Sequence, residues 1–223
     1  MTGELKMKRL ICDDCMKVMK TMPKDSVDLT LTDIPYGEVS RQDNGLVNLD
    51  KEDADIVTFD LAEFLTEVYR VTKGTIIIFC GMEQFSKIYE FYSHEHTKEG
   101  TIRQIVWHKT NPMPLNRQYN YLSATENAVW FRKRGSGVFN AKCKHNVFDL
   151  PKGVRNIHPT QKNVKLFEEL VLDNSNEGQM VFDPCMGSAT TGLVALQNGR
   201  NFIGIEKQKK YFEICEKRLD TLD

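Results

Sequence analysis

The sequence lacks an excess of charge of either sign: 30 Lys and Arg stand against 31 Asp and Glu, a formal net charge of -1. A polyanionic partner therefore leaves no global electrostatic signature, and any nucleic-acid surface has to be a local patch. There is no apolar run long enough to span a bilayer, and the start, MTGELKMKRL, has no signal-peptide core. A cytoplasmic protein with no membrane partner is expected. The six cysteines, Cys12, Cys15, Cys80, Cys143, Cys185 and Cys215, form no paired CxxC set. Cys12-Asp-Asp-Cys15 stands alone, whereas zinc takes about four ligands. His94 and His96 have no third ligand nearby. Reduced thiols and no metal are expected. A GxGxxG phosphate turn, internal repeats and low-complexity tracts are also missing.

What is present is an alternation of short apolar runs with amphipathic stretches, the pattern of an α/β sheet. Strands are predicted over 8–12, 27–32, 75–79, 102–107, 128–131, 180–182 and 202–205. Helical spacing follows the first of these through Met22, then runs over 59–71, 84–91, 161–172, through Gln197, and over 209–219. Seven strand candidates among helices imply one Rossmann-like, doubly wound, mostly parallel sheet, and 223 residues suit a single domain. The polar stretch 38–55 has no period; it is a plain surface loop or a mobile loop beside a site at the strand end.

Two strand ends carry candidate chemistry. Val181 to Thr191 reads VFDPCMGSATT and runs from a buried strand into a helix. Strand C-termini and helix N-termini leave backbone N–H groups free, so ligands bind at such places. Gly187 permits close approach of a ligand, and Ser188, Thr190 and Thr191 are able to contact it. The next strand ends in Gly204-Ile205-Glu206, and an acid about 20 residues beyond a glycine turn accepts hydrogen bonds from ribose hydroxyls. Without GxGxxG, a nucleoside lacking a pyrophosphate fits better than a dinucleotide. Taken alone, such a glycine turn is more often an ordinary tight connection.

The second strand end is Asp33-Ile34-Pro35-Tyr36. The exocyclic nitrogen of adenine is a poor nucleophile, because its lone pair is delocalised into the ring. Two acceptors around the NH2 group draw the nitrogen toward tetrahedral geometry and stabilise developing positive charge. The Asp33 carboxylate and the residue 34 carbonyl are able to serve, and Tyr36 is able to stack on a base taken out of a duplex. The plain alternative is an aspartate capping a turn before Pro-Tyr.

Together these segments resemble the amino-specific DNA methyltransferases of permuted order, in which the catalytic motif precedes the cofactor motif. The family's Asp-Pro-Pro-Tyr reads Asp33-Ile34-Pro35-Tyr36 here, and its Asp-Pro-Phe-x-Gly-Ser-Gly-Thr-Thr reads Asp183 to Thr191, with Cys185 and Ala189 as departures. Arg200 to Glu206, continuing to Tyr211, is similar to its ribose-binding motif. His158-Pro159-Thr160-Gln161-Lys162 matches its helix-start motif, with Asn163 where proline is usual, and Asp13-Asp14-Cys15 resembles its Gly-Asp-Cys element. The likeness runs from about residue 8 to 219. Each motif is weak alone, but five in order are specific.

The resemblance implies a circularly permuted class I methyltransferase fold and S-adenosylmethionine as cofactor. It implies Asp33, Ile34, Pro35 and Tyr36 as the catalytic group. For the cofactor it implies Asp14, Thr160, Gln161, Lys162, Asp183, Pro184, Cys185, Gly187, Ser188, Thr190 and Glu206. None of the departures deletes a functional group, so the expected activity is site-specific methylation of adenine N6 in DNA, within a restriction-modification system. Cytosine N4 methylation, methylation of an RNA or protein amide nitrogen, and a non-catalytic DNA-binding regulator are the alternatives. Dimerisation is implied by the resemblance alone.

The local basic patch that overall charge conceals lies at 132–156, with Arg132, Lys133, Arg134, Lys142, Lys144, Lys152 and Arg155 against a single acid, Asp149. Phosphates are its natural partner, and the family's target-recognition region falls here as a short insertion. A solvated connecting loop is the plain alternative. Lys109 and Asn111, in the stretch Trp107 to Pro114, are further candidates for contact with the target base or strand.

Overall fold

The structure, a computed structural model, describes residues 7–36, 58–96, 98–112, 119, 121–153 and 162–222. Eight strands form one sheet: β1 (Lys8–Ile11), β2 (Val27–Asp33), β3 (Thr72–Cys80), β4 (Gly100–Lys109), β5 (Thr125–Lys133), β6 (Val147–Leu150), β7 (Met180–Asp183) and β8 (Asn201–Ile205). Their order across the sheet is β1-β8-β7-β2-β3-β5-β4-β6. Only β5 runs against its neighbours. The doubly wound, mostly parallel sheet is as expected, and β1 forms its edge beside β8, with Leu10 opposite Gly204. The eighth strand, β6, was not foreseen. Its Val-Phe-Asp-Leu is short and set in basic sequence, yet Phe148 is buried opposite Trp107.

Strand alternation divides the core between two helical layers. In β3, Ile77 and Phe79 face one side, with Phe167, Leu170 and Val194; Ile76 and Ile78 face the other, with Met19, Phe64 and Ile88. The helices α1 (Cys15–Thr21), α2 (Leu61–Val71) and α3 (Met82–Glu90) cover the second side. α4 (Val164–Asn174), α5 (Thr190–Gln197) and α6 (Lys209–Asp220) cover the first. No helix among the described residues is long and apolar enough to cross a membrane.

Caps explain where these helices start. Asp60 accepts from the Glu63 N–H at 2.9 Å, and Phe59 stacks on Phe64 with ring centroids 4.4 Å apart. This N-cap and hydrophobic staple start α2 two residues later than its apolar spacing suggests. Asn163 caps α4 by accepting from the Leu166 N–H at 3.0 Å, and it donates to the Pro151 carbonyl at 2.7 Å. A proline there could do neither. The departure from the family pattern thus gives α4 a cap worth about 1 kcal/mol and ties the end of β6 to the helix start.

Candidate active site

β2 and β7 are adjacent and parallel, but their outgoing connections lead to opposite sides: β2 toward β3, and β7 toward β8. Such a switch point leaves a crevice at the strand C-termini. Asp33 ends β2 and Asp183 ends β7, so both strand-end carboxylates meet at this crevice.

Around Asp33 and its turn the chain gathers five more polar side chains. The Tyr36 hydroxyl donates to Asp33 Oδ1 at 2.9 Å, and the Lys162 ammonium lies 3.0 Å from the same oxygen. Lys162 also donates to the Tyr36 hydroxyl at 2.9 Å and to Glu126 Oε2. The second Glu126 oxygen meets Lys109 Nζ at 2.8 Å. Gln84 donates to the Pro35 carbonyl at 2.8 Å, while its own side-chain oxygen accepts from the Gly81 N–H at 3.0 Å. The turn after Asp33 is therefore clamped to the start of α3. Among the described residues, no donor meets Asp33 Oδ2, and the side chain retains 21% exposure.

The charges in this group are unequal in character. Burial raises the Asp33 carboxyl to about 6, with Lys162 opposing the rise and Glu126 adding to it. Burial also works against ionised Glu126, yet Lys162 and Lys109 hold that carboxyl at about 2. Lys162 is held well above the ordinary lysine range: burial favours its neutral form, but Asp33, Tyr36 and Glu126 outweigh burial. Two carboxylates close together thus titrate far apart, the environment that separates an acid–base group from a fixed counterion.

The second wall of the crevice is the turn between β7 and α5. Asp183 accepts from the Thr191 hydroxyl at 2.6 Å and from the Cys185 N–H at 3.1 Å. Glu206, just past β8, accepts from the Gly187 N–H at 3.1 Å and from the Gln208 N–H at 2.8 Å. Gly187 and Ala189 both take left-handed backbone, at φ 49° and 56°. A side chain at Gly204 would stand 2.5 Å from the Met186 sulfur, so glycine there lets the turn lie on β8. Burial raises Asp183 to about 7 and raises Glu206 as well. Neither carboxylate has a side-chain cation within ion-pair distance among the described residues, a donor set that suits a ligand bringing its own positive charge. Asp14, the N-cap of α1, accepts from the Met16 N–H at 2.9 Å and pairs with Lys207 at 3.1 Å. Burial opposes its ionisation, but Lys207 and the Met16 N–H keep its carboxyl below the usual range.

This constellation of an Asp-x-Pro-Tyr turn beside a nucleoside-type turn can be compared with known proteins. The pattern of the family described as DNA methylase, acting on N6 or N4 amino groups, covers residues 27–217. The chain belongs to that family. Among its relatives, the Type II methyltransferase M2.DpnII of Streptococcus pneumoniae is 30% identical, over 95% of this chain and 89% of that protein. The Type II methyltransferase M.HpaI of Haemophilus parainfluenzae is 32% identical, over 96% of this chain and 74% of that protein. The structure of M1.HpyAVI in complex with SAM shares 30% identity and a TM-score of 0.74, over 96% of this chain and 100% of that one. The PvuII cytosine-N4-specific DNA methyltransferase, at 16% identity, matches in fold, with a TM-score of 0.71 over 96% of this chain and 90% of that one.

Within this DNA methylase, several expected site residues make contacts that the sequence alone does not announce. Lys162, assigned to the cofactor, has its ammonium among Asp33, Tyr36 and Glu126. Ser188 and Thr190 turn toward each other at 3.2 Å, and Arg218 of α6 donates to the Ser188 carbonyl and to Thr190 Oγ1. It is Thr191 that reaches Asp183. Pro184 is buried in the turn and Cys185 is half-buried. Thr160, Gln161 and Arg155 lie outside the described residues.

The basic segment divides. β5 pairs Asn127 with Cys80, at the crevice end, and Arg132 with Thr75, at the opposite end. At about 3.4 Å per residue, Arg132, Lys133 and Arg134 lie nearly 20 Å from the crevice level. They and Thr101 line a cavity of about 410 Å³. Lys133 pairs with Asp25 at 3.5 Å, and Lys144 with Glu169 and Asp173 at 2.9 and 2.6 Å. Lys142 is exposed in the same approach to β6. The reason is topological: an antiparallel strand carries the chain away from the crevice before its charges begin. Lys152, past the end of β6, is back at the crevice end, where its N–H donates to Asn111 Oδ1 at 2.6 Å. Asn111 thus fastens two loops, and Lys109 is buried against Glu126.

Glu126 and Gln84 were missed. Glu126 precedes the apolar run from which β5 was predicted, and an acid opening such a strand opposite Trp107 is the signal that could have found it. Gln84 stands three residues past Gly81, a capping position.

Proposed function

We propose that the protein transfers a methyl group from S-adenosylmethionine to N6 of adenine in DNA. One observation carries the reading: Asp33 is fixed through one carboxylate oxygen, while the other has no donor among the described residues, beside the turn of Asp183 and Glu206. When bound, S-adenosylmethionine supplies an electrophilic methyl on a sulfonium. Glu206 and Asp14 would hold its nucleoside portion, and Asp183 would offset its positive charge. Asp33 Oδ2 and the Ile34 carbonyl accept the two amino hydrogens of the target base, which localises the nitrogen lone pair. With its carboxyl near 6, Asp33 is ionised at neutral pH and takes the proton that the amine sheds. Gln84 occupies the Pro35 carbonyl and so keeps the turn in shape. No thiol is needed, because no covalent enzyme intermediate forms. An aspartate, rather than a serine, at position 33 favours adenine over cytosine.

DNA approaches the crevice end of the sheet in this reading. Tyr121 and Tyr119, just ahead of β5, are almost wholly exposed, and Met82 at the start of α3 is 68% exposed. Exposed aromatics beside a site that takes a base from the stack are natural stacking platforms. Offering DNA, RNA and protein in competition, with cofactor carrying a labelled methyl, tests the substrate class. Label in DNA is the expected result; label confined to RNA or protein contradicts the reading.

A further inference from the structure

We infer that Glu126 is a positioning residue for methyl transfer, drawing the Lys162 ammonium to one side so that Asp33 keeps an oxygen open for the target amine. The inference rests on the function proposed above and adds a residue that lies outside its Asp-x-Pro-Tyr turn.

An ammonium has three N–H bonds spread tetrahedrally. Here the three meet Asp33 Oδ1, the Tyr36 hydroxyl and Glu126 Oε2. Every donor is used, and only one of them is spent on Asp33. Glu126 is itself held from behind, because its other oxygen meets Lys109 at 2.8 Å, and Lys109 lies over the Trp107 ring at 5.5 Å. The Trp107 indole N–H donates to the Leu150 carbonyl at 2.9 Å. The chain of contacts thus runs from the β6 edge to the end of β2. Four charges, two of each sign, balance within it.

Without a negative Glu126, Lys162 would find its nearest full charge in Asp33 alone and settle across both oxygens, covering the acceptor. A buried ion network of this kind is expensive compared with apolar packing. Its placement against a strand-end carboxylate whose second oxygen meets no donor among the described residues supplies a reason for it. Among the described residues, the groups that face Asp33 are Tyr36 from its own turn, Lys162 from the approach to α4, Glu126 from β5 with Lys109 of β4 behind it, and Asp183 from β7. β3 presents Phe79 at that level.

The test uses the full chain and two readouts: carboxyl NMR titration of Asp33, and the pH profile of single-turnover methyl transfer to DNA. Glu126→Gln should lower the Asp33 midpoint by about one pH unit and slow transfer about tenfold or more, with cofactor affinity kept. Lys109→Met should move the Asp33 midpoint the opposite way, because Glu126 then acts with its charge unshared. Glu126→Asp, which retains the charge, should hold the midpoint near that of the wild type. A purely structural Glu126 would lower stability and rate at every pH without displacing the midpoint. If Glu126→Gln does not fold, the upward shift in Lys109→Met decides. An active wild type with unmoved midpoints overturns this inference alone; a wild type that methylates no DNA overturns the functional reading and this inference with it.

Discussion

The Lys162 ammonium lies 3.0 Å from Asp33 Oδ1, joining the approach to α4 to the end of β2. The cation lowers a carboxyl that burial alone would carry still higher than about 6. Lys162→Met should therefore raise the Asp33 midpoint and move the acid limb of the rate profile to higher pH. At pH 7 a smaller share of Asp33 would be ionised, and the rate should fall about 100-fold. A rate profile measured from pH 5 to 9 checks both the direction and the size.

For the wild type the sign is fixed by the same carboxyl. Asp33 has to be ionised to accept a hydrogen, so the rate should be lost as pH falls through about 6. Asp33→Ala removes the acceptor and should cost about 3 kcal/mol or more in the chemical step. Cofactor affinity, measured by calorimetry, should change little.

Glu206 accepts two backbone N–H groups and, in the proposed function, a ribose as well. Glu206→Ala should weaken S-adenosylmethionine binding at least about tenfold, the scale of hydrogen bonds to a charged acceptor. Turnover at saturating cofactor should be closer to normal. Calorimetric titration and saturation kinetics separate the two effects.

Ala189 occupies left-handed backbone at φ 56°, at the position where the motif it resembles carries glycine. That conformation costs a non-glycine residue roughly 1–2 kcal/mol. Ala189→Gly relieves it but gives up a buried methyl, about 0.8 kcal/mol, and admits more unfolded-state freedom, roughly 0.5–1 kcal/mol. The terms nearly cancel, so denaturant unfolding should show a change within about 0.5 kcal/mol. A loss of about 2 kcal/mol would contradict the left-handed assignment.

Much of this was legible in the sequence for a physical reason. Buried parallel strands such as Ile76-Ile77-Ile78-Phe79 are unbroken apolar runs, and the Asp33 and Asp183 turns follow directly from the strands they end. Contacts between distant segments left no local trace. Nothing in Lys162 alone says that it meets Asp33, and Glu126 sits outside any motif. The basic stretch is split in the fold because sequence proximity ignores strand direction: Arg132 and Lys152 lie at opposite ends of the sheet.

That division makes a prediction for DNA binding. Changing Arg132 and Arg134 together to alanine should leave the slope of log affinity against log salt within about half a unit of wild type. Tyr121→Ala should weaken DNA binding by about 1 kcal/mol or more, with cofactor affinity unchanged. Binding isotherms at several salt concentrations check both.

The central claim is methylation of adenine N6 through Asp33, and identifying the methylated nucleoside tests it most directly. The purified protein and its Asp33→Ala variant would each be incubated with S-adenosylmethionine bearing a labelled methyl and unmethylated genomic DNA, followed by nucleoside mass spectrometry. The account predicts labelled N6-methyladenine from the wild type and almost none from the variant. N4-methylcytosine, or equal N6-methyladenine from both proteins, would contradict it.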